Sequence, residues 1–300
     1  MAKTPKTIRI LGLHGMGTSA HIFRSQTGAP FLLPLLPSVI ITNSLPPAAL
    51  RSKLPAHITF DFLDAPFHTA PAPGTDVLFE SNHYAWWMLP STINGVRGAH
   101  QFLDDHIAAA GPYDVLMGFS QGCSLIGSYL LYHARETPEE PLPFRAAVFV
   151  CGGMPLDVLE DLGVKVSERA KAVNELTSRL MKQRAGALVD YAENLDQIRR
   201  GVGLWDDLKG LVHDPGSMPE KRDVFGLDFT AMPEDLRITI PTVHVYGAKD
   251  PRWPASLQLA HFCEDRRLYD HKGGHDIPRS TEVSVRIAEL LLELEKELQQ

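Results

Sequence analysis

The chain has 300 residues, 44% of them hydrophobic, enough to bury a large core as a single domain spanning residues 1–300. Its formal charge of -7, with no cluster of Lys or Arg, excludes a nucleic-acid footprint, because phosphate binding needs a basic face. Cys123, Cys151 and Cys263 are too few and too odd in number for a disulfide framework, and no C-x-x-C or His/Cys cluster suggests zinc; no metal and no organic cofactor is expected. The basic start, Met1 to Arg9, leads into an apolar run too short for a signal segment, and no stretch approaches membrane-spanning length, so a cytoplasmic location is expected.

Residues 8–13 read as a buried strand that runs straight into His14-Gly15-Met16-Gly17. A strand ending in His-Gly-x-Gly is similar to the loop that supplies an oxyanion-binding N–H in α/β-hydrolases, and Met16 N–H is the candidate donor. A helix should start at Ser19 and break at Pro30, Pro34 and Pro37, with an irregular insertion over residues 37–56. Residues 58–63 alternate like a strand, and the Pro/Ala-rich stretch 67–75 reads as loop. Tyr84, Trp86 and Trp87 then concentrate large aromatics near one end of the sheet, where they are expected to wall an acyl pocket. Residues 96–110 follow a helical pattern, closed by Gly111-Pro112.

The next stretch organises the rest. Val115, Leu116 and Met117 form a buried-strand run, residues 123–135 carry apolar side chains at helical spacing, and Gly118-Phe119-Ser120-Gln121-Gly122 joins them with almost no loop. A G-x-S-x-G arises by chance in about one chain in ten of this length. Set between strand and helix it becomes specific, because so sharp a turn strains the serine and requires small residues on both sides. Ser120 is therefore the candidate nucleophile, and Gln121 N–H the candidate first oxyanion donor.

Residues 146–151 read as another buried strand, followed by the longest departure from strand–helix alternation, residues 156–240. Inserted there, such a segment would sit over Ser120 as a cap, with Met181, Tyr191 and Trp205 as candidate pocket side chains. Strands at 242–246 and 267–270 and a closing amphipathic helix from Val283 to Leu298 complete the chain. Alternating strands and helices predict an α/β fold of the α/β-hydrolase kind: a mostly parallel central sheet, helices on both faces and a cap insertion.

A serine hydroxyl needs a base to take its proton, and the base needs a third group to hold its tautomer. In the order Ser, acid, His, each after a strand, the chain offers Ser120, Asp250 and His275. His271 lies nearer its strand, and Asp157 stands after the preceding strand as a rival acid.

Taken together, Leu13-His14-Gly15-x-Gly17-Thr18-Ser19, Phe60-Asp61-Phe62-Leu63-Asp64-Ala65-Pro66, Gly118-Phe119-Ser120-Gln121-Gly122, Gly247-Ala248-Lys249-Asp250-Pro251 and Gly273-Gly274-His275-x-x-Pro278 resemble the family of serine hydrolases typified by the yeast FSH proteins and the human ovarian-cancer-associated homologue. The resemblance implies Ser120, Asp250 and His275 as a triad, and an ester or acyl thioester of a small molecule as substrate. The cap is similar to the fungal branch whose members act in trans as thioesterases beside polyketide synthases, which implies an acyl-carrier domain as a partner. Acyl transfer or cyclisation through the same triad is the alternative chemistry, and a ligand-binding protein on a hydrolase scaffold the alternative class.

Overall fold

The computed structural model of the chain describes residues 6–28, 50–193, 205–278 and 280–299, with backbone alone for residues 77, 78 and 187–193. The chain enters with β1 (Ile8–Leu13) and passes through α1 (Ala20–Thr27) to β2 (Ile58–Leu63). Most of the insertion expected at residues 37–56 lies outside the described residues. Next, β3 (Phe67–His68) pairs antiparallel with β4 (Tyr84–Ala85), with one helical turn, α2 (Thr75–Leu78), between them. This ribbon begins inside the stretch expected to be loop, and two residues per strand are too few to leave a sequence pattern.

After α3 (Ile93–Ala110) come β5 (Val115–Phe119), α4 (Gln121–Glu136) and β6 (Ala146–Val150). The chain then runs through α5 (Leu156–Asp161) and α6 (Glu168–Glu193) before closing with β7 (Thr242–Tyr246), α7 (Trp253–Phe262), β8 (Arg266–Asp270) and α8 (Thr281–Leu298). Side-chain caps start four of the helices: Ser19, Thr92, Ser167 and Ser280 accept from the N–H groups of Ile22, Gly95, Ala170 and Val283.

Six strands in the order β2-β1-β5-β6-β7-β8 form one sheet, every neighbouring pair parallel. Alternation along each strand sends side chains to two different cores. Leu11, Leu13, Leu116, Ala147 and Phe149 join α3, α4, α5 and α7 on one face, while Ile8, Ile10, Val115, Met117, Val148 and Val243 join α1 and α8 on the other. Helices therefore cover both faces, as the alternation of elements predicts. From β1 the chain steps outward to β2, then returns to place β5 on the other side of β1. This reversal opens a crevice at the carboxyl ends of β1 and β5, where ligands of such sheets bind.

Between β6 and β7 the insertion divides in two. Val224, Phe225, Leu227, Phe229, Met232 and Leu236 sink into the first core, and Gln258 on α7 donates to the carbonyls of Val224 and Phe225. By contrast, α6 and residues 205–213 bond to the loop after β7, described below. Among the described residues no helix is long and apolar enough to cross a membrane.

Candidate active site

Strand β5 turns into helix α4 at a single residue. Ser120 has φ 51° and ψ -111°, a conformation that costs a non-glycine residue about 1–3 kcal/mol and persists only when its surroundings hold it. Its N–H donates to Val150 O at 3.1 Å, tying the turn to β6. At Gly122 a β-carbon would stand 2.1 Å from the carbonyl oxygen of Leu13, so only glycine lets α4 start this close to β1. Ser120 is thereby raised above the sheet at the start of α4, whose first N–H groups have no partner within the helix.

Two loops from distant parts of the chain meet the serine. The Ser120 hydroxyl lies 3.0 Å from His275 Nε2, and His275 Nδ1 lies 2.7 Å from Asp250 Oδ2. Asp250 is fully buried, its second oxygen accepting from Arg252 N–H at 2.7 Å, and the His275 ring packs beside Phe119 with 5.3 Å between centroids. In this arrangement the serine O–H donates to Nε2, and the Nδ1 proton faces the carboxylate. The rival groups lie elsewhere. Asp157 accepts from Ser91 Oγ at 2.8 Å, and His271 accepts from Gly273 N–H and faces Cys151.

The loop after β1 runs beside the elbow, since Leu13 pairs with Gly118. It is braced by the aromatic segment. Gly17 N–H donates to Tyr84 O, Tyr84 N–H donates to Thr18 O, and Trp86 Nε1 donates to His14 O at 2.8 Å. The Gln121 side chain closes the brace, accepting from Trp86 N–H at 3.0 Å and donating to Trp87 O at 2.9 Å. Trp86 and Trp87, expected to wall an acyl pocket, are core members at 0% and 3% exposure: the indole N–H of Trp86 finds its partner inside, and its ring packs against Phe102. Tyr84 is half-buried and packs at a tilt against His68.

Of the other expected pocket residues, Trp205 lies over Gly274, with its indole 2.0 Å from where a β-carbon would stand, and so borders the loop that carries His275. Met181 is half-buried on α6. The Tyr191 side chain lies outside the described residues. Sequence reasoning missed the residues that fasten the insertion to the acid loop. Arg184 donates to Lys249 O and Lys209 O, His213 bonds to Ala248 O at 2.7 Å, and Arg252 donates to Asn174, Thr177 and Ser178 of α6. Their only sequence signal is proximity to Asp250, which marks Arg252 alone.

The switch-point sheet, the strained serine turn and the loops that bring an acid and a histidine to it define an α/β-hydrolase. A model of the family described as Serine hydrolase (FSH1) matches residues 1–287, and the chain belongs to that family. It is similar to Hydrolase FUB4 of Fusarium oxysporum f. sp. lycopersici, 27% identical over 296 residues, covering 95% of this chain and 98% of that one. It is likewise similar to Esterase FPY3 of Fusarium mangiferae, 24% identical over 276 residues and covering 91% and 89% of the two chains. Esterase alnB of Emericella nidulans is 29% identical over 289 residues, covering 91% of this chain and 92% of its own. The protein is a serine hydrolase.

Proposed function

We propose that this hydrolase cleaves carboxylic esters or acyl thioesters through an acyl-enzyme, with Ser120 as nucleophile, His275 as base and then acid, and Asp250 as the group that orients His275. The observation that carries this reading is the continuous path of short contacts, 3.0 Å from Ser120 Oγ to His275 Nε2 and 2.7 Å from His275 Nδ1 to Asp250 Oδ2. As Ser120 Oγ attacks the acyl carbon, its proton passes to Nε2, and the imidazolium is stabilised by the buried carboxylate. The N–H groups of Gln121 and Met16 receive the oxyanion. Collapse expels the alcohol or thiol, which takes the proton from His275, and water repeats the sequence to free the acid.

The insertion supplies the cap in this reading, through α6 and residues 205–213; their bonds to the acid loop, and Trp205 beside Gly274 in the loop that carries His275, support it. The substrate is a small-molecule acyl ester or thioester met in the cytoplasm, or an acyl chain on the carrier domain of a polyketide synthase, which the enzyme releases in trans. Names of the similar fungal chains, two esterases and a hydrolase, support the ester half of this reading.

Ser120→Ala should abolish turnover of a p-nitrophenyl ester and covalent labelling by a fluorophosphonate while the protein stays folded; retained labelling would assign the nucleophile to another residue. Mass spectrometry of the products from a panel of acyl-pantetheine thioesters and simple esters then separates the two substrate classes.

A further inference from the structure

We propose that Cys151, Asp250 and His275 form a site for a thiophilic divalent cation of the zinc type, and that filling it switches the hydrolase off. One ligand atom from each, the Cys151 sulfur, an Asp250 carboxylate oxygen and a His275 ring nitrogen, lie within 4.8 Å of one another. Cys151 directly follows β6 and has φ 50°, and its N–H donates to Val245 O at 2.9 Å, which fixes it between the serine turn and the acid loop. The thiol makes long contacts to the carbonyls of Gly274 and Asp276 at 3.6 Å each and to His271 Nε2 at 3.8 Å, and it also meets the Gly247 backbone. Contacts of this length are weak ones for a sulfur to exchange for a metal bond.

Thiolate, imidazole and carboxylate are the three ligand types zinc takes, at about 2.0–2.3 Å. A tetrahedral ion needs such donors roughly 3.3–3.7 Å apart, so the Asp250–His275 contact must open by about half an ångström and the sulfur must close in by about one. Charge favours the occupied state. A Cys151 thiolate beside the fully buried Asp250 carboxylate would be a second buried anion, costly unless a cation offsets it. A divalent cation cancels both anions at once, leaving a neutral cluster with imidazole as its third donor.

The protons balance as follows. The thiol proton leaves to solvent as the sulfur binds, and the proton on His275 Nδ1 moves to Nε2 as Nδ1 gives its lone pair to the metal, so each ion releases one proton. His275 Nε2 then carries a hydrogen where it must accept one from Ser120. Metal binding and catalysis use the same ring in opposite tautomers.

The loss of activity rests on the roles proposed above for Ser120, Asp250 and His275; the site itself does not. Cobalt(II) serves as the spectroscopic probe. In the native chain it should give a thiolate-to-cobalt charge-transfer band in the near ultraviolet, which Zn²⁺ bleaches. Zn²⁺ should block p-nitrophenyl ester hydrolysis and fluorophosphonate labelling reversibly, with EDTA restoring both. Cys151→Ser should keep its metal-free turnover and resist Zn²⁺ by about tenfold or more. Absence of the cobalt band at saturating metal overturns the site, as does equal Zn²⁺ inhibition of Cys151→Ser. If that variant does not fold, the band in the native chain still decides. If Ser120→Ala remains active, the catalytic reading fails while the cobalt spectrum reports on the site alone.

Discussion

The Gly15 carbonyl accepts two hydrogen bonds, from Thr18 Oγ1 and from His14 Nδ1, each at 2.7 Å. Because Ala65 N–H donates to His14 Nε2 at 3.1 Å, the ring is neutral with its proton on Nδ1, and burial keeps it so by lowering its pKa. In a trans peptide the C=O and the following N–H point in opposite directions, so anchoring the Gly15 carbonyl aims Met16 N–H away from the His14 ring and the Thr18 hydroxyl. In the role proposed for it, Met16 N–H is a preorganised donor that acts on charge developing only in the transition state. Thr18→Val removes one anchor without changing shape, and kcat should fall on the order of tenfold, a fraction of the cost of losing a donor outright, with KM little changed. Steady-state kinetics on a p-nitrophenyl ester checks this; a raised KM at unchanged kcat would mean the loop binds substrate rather than the oxyanion. Both glycine loops were legible in the sequence, since tight turns beside strands restrict residue type locally. The tasks of His14 and Gln121 were not, because their partners, Ala65, Trp86 and Trp87, are dozens of residues away and leave no periodic trace.

Helix α6 is joined to the acid loop by two guanidiniums, Arg184 reaching Lys249 O and Arg252 making the larger set of bonds. Arg252 Nη1 donates to Asn174 O, Thr177 Oγ1 and Ser178 Oγ, Nη2 donates to Asn174 Oδ1, and the backbone N–H of the same residue bonds to Asp250 Oδ1. Burial lowers the pKa of Arg252 and the Asp250 charge raises it, yet an arginine stays charged at any working pH. Arg252→Gln should therefore loosen both α6 and Asp250, costing on the order of 2 kcal/mol in stability and speeding amide exchange around Asn174 to Ser178. If exchange there is unaltered while activity drops, the arginine acts on the acid alone and not through the insertion. Strands β1, β5, β6 and β7 were easy to read because each alternates between two cores or runs largely apolar, whereas β3 and β4 are too short to leave a pattern. Helix α7 left no amphipathic stripe, since every residue in it but His261 is buried, and its flanking strands were the only hint of it.

Across the whole molecule, burial lowers the pKa of several histidines, His14, His213 and His261 among them, and His100 and His244 are shifted far enough to shape how stability responds to acid. His100 bonds to Ser128 Oγ at 2.8 Å between the rings of Tyr129 and Tyr132, and His244 bonds to Thr242 Oγ1 and stacks on Phe149. Burial pulls their pKa values down to about 4 and about 3, from an ordinary value near 6.5. Folded-state values below the unfolded one mean that the folded protein holds both rings neutral, so their contribution is complete above pH ~6.5 and is lost as pH falls below it. Between about pH 6 and 4 the unfolded chain binds up to one more proton at each ring, a slope of about 1.4 kcal/mol per pH unit per histidine. Asp104 and Asp276, whose carboxyl pKa values burial raises, oppose this, because the fold takes up their protons more readily than the unfolded chain does. Urea unfolding at pH 7, 6 and 5 should thus show stability falling with acid, and His100→Gln, which keeps a donor for Ser128, should remove roughly one proton's share of the slope. An identical slope in the variant would mean that His100 is already protonated in the fold, and that the two tyrosine rings beside it accept a cation where burial argues for a neutral ring.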